Sequence, residues 1–215
     1  TAVPSMLPST TLPVSKCAAY LEFERKRPWP AGGNVVRGVR WAPDGSCLLT
    51  ASEDNVLRIF NLPPTVAREA YDAACGAAAD RPGCMADARA SELEPVLRID
   101  EGESVYDCCW YPLMDSSDRL SCCVLSSCRD HPIRLWDAYD GSLRAAYVGY
   151  NHLDELAPAY SLAFEPGGRR IYAGYERCIR VFDVTRPGRQ IEDLPTASSR
   201  KSRDGQRGIL SSLAF

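Results

Sequence analysis

The chain has 215 residues, 45% of them hydrophobic, and its 25 basic and 28 acidic residues give a net charge of −3. No apolar run approaches the roughly 18 residues of a membrane-spanning helix, so a soluble globular chain is expected. The charge balance argues against a globally basic nucleic-acid protein. Any phosphate-binding surface would have to be a local cluster of Arg and Lys.

Residues 1–35 form an N-terminal tail and lead-in rich in Pro, Ser and Thr. Thr1 to Lys16 lacks the charged-then-apolar pattern of a secretory signal and reads as a mobile tail. A first strand-rich unit spans 36–102. Val39-Arg40-Trp41 ends at Pro43-Asp44-Gly45, where Pro pre-sets φ and Gly supplies φ > 0. Cys47-Leu48-Leu49-Thr50 follows, then a tight turn at Ser52-Glu53-Asp54-Asn55, then a strand through Phe60. Residues 63–95 interrupt this unit between its third and fourth strands. The insert is rich in Ala, Asp, Cys and Gly and reads as a flexible, weakly acidic loop without a role.

A second unit covers 103–149 and a third 158–195, with the first strand of a fourth beginning at 208. All three carry apolar-Arg-apolar-aromatic closed by Asp or Asn: Leu57 to Asn61, Ile133 to Asp137 and Ile179 to Asp183. An acid stands six residues before each aromatic, giving Asp54 with Phe60, Asp130 with Trp136 and Glu176 with Phe182. These six are the expected turn and blade positions. The aromatics are separated by 76 and then 46 residues. A four-stranded propeller blade repeats every roughly 40–45 residues, so the longer interval fits if about 30 residues are inserted. The pattern resembles the WD repeat, although only Trp136-Asp137 supplies the literal dipeptide and the usual Gly-His is missing. The expected fold is all-β: a WD-repeat β-propeller with about three blades plus the first strand of a fourth. Propellers close with about 4–8 blades, so the chain is expected to be part of a longer protein, with an open blade edge and an uncovered apolar face.

Ten cysteines require a decision between thiols, disulfides and metal. Cys108-Cys109 and Cys122-Cys123 lie in strand-like runs, where neighbouring side chains point to opposite faces. Cys123, Cys128 and His131 come nearest to a metal set, but their spacing matches no zinc pattern. Buried structural thiols are expected, and reduced thiols suit a cytosolic or nuclear compartment. No cofactor and no metal is expected.

Two further inserts flank the third unit. One is Tyr150-Asn151-His152-Leu153-Asp154-Glu155-Leu156. The other, 196–208, contains Arg200, Lys201, Arg203 and Arg207 and forms, with Arg186 and Arg189, the most basic stretch. The resemblance to propellers implies that blade-connecting loops share a rim with the turns holding Asp54, Asp130 and Glu176, so Arg129 and Arg177 would join them. The RNA-binding candidates are therefore Arg129, Asn151, His152, Arg177, Arg186, Arg189, Arg200, Lys201, Arg203 and Arg207.

Several segments together resemble the telomerase Cajal body protein family of WD-repeat proteins. They include Arg40 to Cys47, Asp54 to Ile59 with Asn61 to Pro64, Tyr106 to Met114, Ile133 to Ala138 running into Tyr150 to Leu156, and Arg186 to Arg189. The resemblance covers about Val35 to Phe215, leaves the loop near Cys75 to Ala90 unmatched, and lacks the C-terminal blades. It implies a non-catalytic scaffold that binds small Cajal body RNAs of the box H/ACA class, telomerase RNA included. It also implies dyskerin-type H/ACA proteins and telomerase reverse transcriptase as partners, telomere maintenance as the process, and the nucleus and its Cajal bodies, with some cytoplasmic protein, as the address. Such recognition suits splayed loop bases held by stacking and edge hydrogen bonds.

The alternative is a protein–protein scaffold such as a ubiquitin ligase substrate receptor. Its Trp-Asp-x-Arg signature is not matched by Trp136-Asp137-Ala138-Tyr139 or by Phe182-Asp183-Val184-Thr185. An enzyme is not expected. The chain has only His131 and His152 for histidine chemistry, and carries no nucleophile-elbow, zincin or phosphate-loop motif.

Overall fold

The computed structural model describes residues 34–62, 94–151, 153–198 and 205–215. His152, Arg200, Lys201, Arg203, the tail and most of the 63–95 insert lie outside them. Among the described residues every regular element is a strand.

The first sheet contains β1 (Val36–Trp41), β2 (Cys47–Ser52), β3 (Val56–Asn61) and β4 (Leu97–Asp100), paired antiparallel in chain order. The second repeats this with β5 (Val105–Trp110), β6 (Cys123–Cys128), β7 (Ile133–Asp137) and β8 (Leu143–Val148). The third uses β9 (Ser161–Phe164), β10 (Arg170–Gly174), β11 (Cys178–Asp183) and β13 (Glu192–Pro195). Strand β12 (Gly188–Arg189) leaves its own unit and pairs parallel with β8, so the connection out of β11 staples the third blade to the second. Among the described residues the sheets do not close into a ring. Val39 and Trp41 of β1 are 53% and 59% exposed, the uncovered apolar edge the repeat count implies.

Turn chemistry explains the strand ends. Gly45 sits at φ 74 and Gly168 at φ 69, the left-handed region that Gly adopts without a Cβ penalty. The turn between the second and third strand of each blade also needs one left-handed residue: Asn55 at φ 64, Asp130 at φ 58 and Arg177 at φ 62. Asn and Asp tolerate this region, whereas an Arg there is uncommon and strained.

Alternation within the strands supplies two apolar cores. Leu49, Leu57, Ile59, Val105, Cys108 and Val124 fill the space between the first and second blades. Leu125, Leu135, Tyr147, Leu162, Ile171 and Phe182 fill the next. The paired cysteines divide between them as the period of two requires: Cys108 and Cys122 face the first core, Cys109 and Cys123 the second. Burial pushes the thiols of Cys108 and Cys128 up to about 12 and that of Cys123 up to about 11, so they act as packing groups.

The blades are also tied across their ends. Asp44 accepts the backbone N–H and hydroxyl of Ser46 at 2.9 and 2.7 Å, and the N–H of Ser116 in the second blade at 2.8 Å. Burial by itself would raise this carboxyl, but the Ser46 and Ser116 bonds outweigh it and hold its pKa down to about 2. A depressed carboxylate stabilises the fold above its ordinary value of 3.8 and loses that contribution as pH falls toward 2. Asp44→Asn is therefore expected to unfold with a shallower acid limb across that window. Superimposable acid limbs for parent and variant would show that Asp44 contributes nothing.

Candidate nucleic-acid interface

In each blade the turn between second and third strands and the connection to the next blade lie at the same end. That end carries 53–55, 101–104, 129–132, 149–160, 175–177 and the approach to Leu210. Four predicted candidates meet there. Arg177 donates from Nε to the carbonyl of Arg207 at 3.0 Å, and its N–H reaches the carbonyl of Gly208 at 3.1 Å. Arg189 lies over the ring of Tyr150 at 5.0 Å and pairs with Asp154 at 2.7 Å. Arg129 donates to Tyr106 Oη at 3.4 Å, and the Tyr106 ring lies 5.3 Å from that of Tyr160. A band of arginines and tyrosines thus runs from the second blade to the third.

Two candidates behave otherwise. The side chain of Asn151 is used by its own loop: Oδ1 accepts from the N–H of Leu153 and Glu155 at 2.8 and 3.0 Å, and Nδ2 donates to Glu155 at 3.0 Å. It shapes the insert more than it offers a free edge. Arg186 lies beyond the other end of β11, in the turn closed by its N–H to the carbonyl of Asp183. Roughly 17 Å of strand separates it from Arg177, because the third strand of a blade carries the chain from one rim to the other. The basic stretch that looks continuous in sequence is divided by the fold.

The repeat positions also differ. Phe60 and Phe182 are buried, whereas Trp136 is partly exposed. Asp54 turns inward to grip Arg58 through both oxygens, while Asp130 and Glu176 stay at the surface.

Between the Tyr150 insert and the third sheet lies a cleft of about 1150 Å³. Tyr150, Tyr160 and Tyr175 supply aromatic faces, and Arg177, Arg180 and Arg189 supply guanidinium groups. Asp154, Glu176 and Asp193 line it too, so the formal charges balance. The acids in this cleft add to the cluster of Arg and Lys expected on the rim. The cleft is held open by precise fits: a Cβ at Gly149 would overlap the Tyr175 hydroxyl, and the Tyr150 backbone is clamped by Gln190, which accepts its N–H at 3.1 Å and donates to its carbonyl at 3.2 Å. Burial pushes the Tyr175 phenol upward, only partly offset by Arg180, so it remains a protonated donor. Sequence reasoning named neither Arg180 nor the tyrosines as site residues. Their signal was the Arg shared by all three third strands, read only as a repeat mark.

Such a surface suits stacking on bases and donation to their acceptor edges. A family model, "WD domain, G-beta repeat", matches residues 28–61. The chain is 45% identical over 182 residues to "Telomerase Cajal body protein 1" of Bos taurus, covering 85% of this chain and 30% of that protein. It is 40% identical over 163 residues to the "Telomerase Cajal body protein 1 homolog" of Drosophila melanogaster, covering 75% of the chain and 28% of that protein. The chain thus spans about 30% of the length of the curated relatives it matches. Among solved structures it is similar to the WD40 domain of Toxoplasma gondii coronin, with a TM-score of 0.52 at 16% identity over 78% of this chain and 35% of that one. That likeness concerns the fold.

Proposed function

The chain is a WD-repeat relative of the telomerase Cajal body proteins, and from that premise we propose that it forms part of a non-catalytic RNA-binding scaffold. Its RNA is of the box H/ACA class, small Cajal body RNAs and telomerase RNA among them. The scaffold directs the particle to Cajal bodies in the nucleus and supports telomerase assembly, alongside dyskerin-type H/ACA proteins and telomerase reverse transcriptase. The observation that carries the RNA-binding reading is the band of Arg129, Arg177, Arg189 and Arg207 interleaved with Tyr106, Tyr150 and Tyr160 on one rim. Arg200, Lys201 and Arg203 extend the same basic loop in sequence.

Arg129 and Arg207 are exposed, so they can meet phosphates without disturbing the core. Replacing both by Ala in the whole protein is expected to flatten the salt dependence of RNA binding by about two units of log–log slope. An unchanged slope would move the phosphate contacts elsewhere. The decisive experiment is crosslinking in cells followed by sequencing of the bound RNA. Enrichment of box H/ACA RNAs with contacts in one hairpin loop supports the proposal. Background RNA alone would overturn it and leave a protein scaffold as the better account.

A further inference from the structure

The three blades place an Arg at the same point of the third strand, and its surroundings differ in a telling way. Arg58 is satisfied by both oxygens of Asp54. Arg134 donates to Glu101 at 2.9 Å. Arg180 has an acid only in ion-pair contact, the half-exposed Asp193. The Arg180 side chain is 8% exposed, yet Nε and Nη1 make no hydrogen bond, and the adjacent Asp193 approaches Nε only at 3.3 Å in poor alignment. The guanidinium lies 4.1 Å from the ring centroid of Tyr175, whose buried hydroxyl makes no well-aligned hydrogen bond. Buried donors left unpaired are costly, so a set of them lining a cleft marks a place where an acceptor is missing.

We propose that this cleft receives one unpaired guanine base of the bound RNA, with O6 accepting from Arg180 and the N1–H and N2–H2 edge facing Asp193. This rests on the RNA-binding reading above and adds which nucleotide the site reads. Charge selects a base over a phosphate: Arg177, Arg180 and Arg189 are matched by Asp154, Glu176 and Asp193, so a bare anion gains little net attraction there. Guanine carries an acceptor beside two donors, which is the complement of an Arg standing next to an Asp. Arg180 and Asp193 are register partners on β11 and β13, so the backbone fixes the two groups side by side. Tyr150 and Tyr160 supply the faces on which an extruded base can stack.

The test uses the whole protein and a fluorescent box H/ACA hairpin RNA in which each loop guanosine is replaced in turn by 2-aminopurine, which lacks O6 and N1–H. One position is expected to weaken binding by at least about tenfold. Arg180→Lys and Asp193→Asn should each weaken the natural RNA and add nothing further to the RNA substituted at that position. Thermal melting identifies a variant that fails to fold; Asp193, with its side chain 54% exposed, keeps the cycle usable if Arg180→Lys does not. Additive effects at every position, with the natural RNA still bound, would overturn the guanine site while leaving RNA binding intact. If no RNA binds at all, the RNA-binding reading itself falls. Titration with guanosine monophosphate then decides the cleft: a response exceeding those to adenosine monophosphate and inorganic phosphate, and lost in Asp193→Asn, upholds it. Equal responses overturn it.

Discussion

Glu101→Ala is expected to lower the stability of the whole protein by about 3–5 kcal/mol, the usual cost of stripping one partner from a buried ion pair. Glu101 lies in the connection from β4 to β5, and its side chain is fully buried in the second blade. One carboxylate oxygen accepts the Trp136 indole N–H at 2.8 Å and the Ser126 hydroxyl. The other accepts Arg134 at 2.9 Å and the Cys128 thiol at 3.6 Å. The Glu101 N–H reaches back to the carbonyl of Asn55 at 3.0 Å, so this residue binds the first blade to the second. Alanine would leave Arg134, 17% exposed at its side chain, without a counter-ion and would remove the acceptor of Trp136, Ser126 and Cys128. Glu101→Gln keeps the shape and loses the charge, so its cost should be smaller, about 1–3 kcal/mol. Denaturant midpoints at unchanged slope give both numbers. An alanine variant within about 0.5 kcal/mol of the parent, the range of ordinary surface substitutions, would mean that the blades are not joined through this carboxylate.

Phe182→Ala should cost a similar amount, about 3–5 kcal/mol, for a different reason. Phe182 is 0% exposed and meets the ring of Tyr147 edge-on at 6.0 Å, so truncation leaves a cavity between the second and third blades. Phe182→Leu should recover most of this, leaving a deficit below about 1.5 kcal/mol if the site repacks. Trp136 holds the same repeat position but is partly exposed, packing on the first core while its indole N–H bonds Glu101 and Ser126. Trp136→Ala is therefore expected to cost less in packing than Phe182→Ala and more in lost hydrogen bonds, and Trp136→Phe should isolate the second part. If Phe182→Ala unfolds at the parent's midpoint, the aromatic is not an inter-blade core residue and the strand register is wrong.

The turns and strands were legible because their causes are local. A left-handed residue at Asn55 or Asp130, a Gly after Pro-Asp, and alternation through Cys108-Cys109 all act within a few residues, where backbone sterics leave few options. The Tyr150 insert and the turn at Arg177 were legible as loops at one rim. Their tyrosines were not legible as a site, because an aromatic beside a strand usually denotes core.

The sequence alone therefore determined the repeat, the strands and turns within each unit, and the opposite facing of the paired cysteines, while the shared rim of the loops followed from the resemblance to propellers. Tertiary structure decided what each repeated residue does. Arg58 finds its acid four residues away, Arg134 finds one 33 residues away across a blade boundary, and Arg180 meets Asp193 only as an ion pair, with Nε and Nη1 left without a hydrogen bond. Arg186 and Arg189, three apart in sequence, go to different rims because β12 crosses to β8. The physical reason is the same in each case. Strand and turn preferences are set by neighbours along the chain, but the partner of a buried charge is set by which blade packs against which. That pairing depends on chain closure over tens of residues, and no local pattern encodes it.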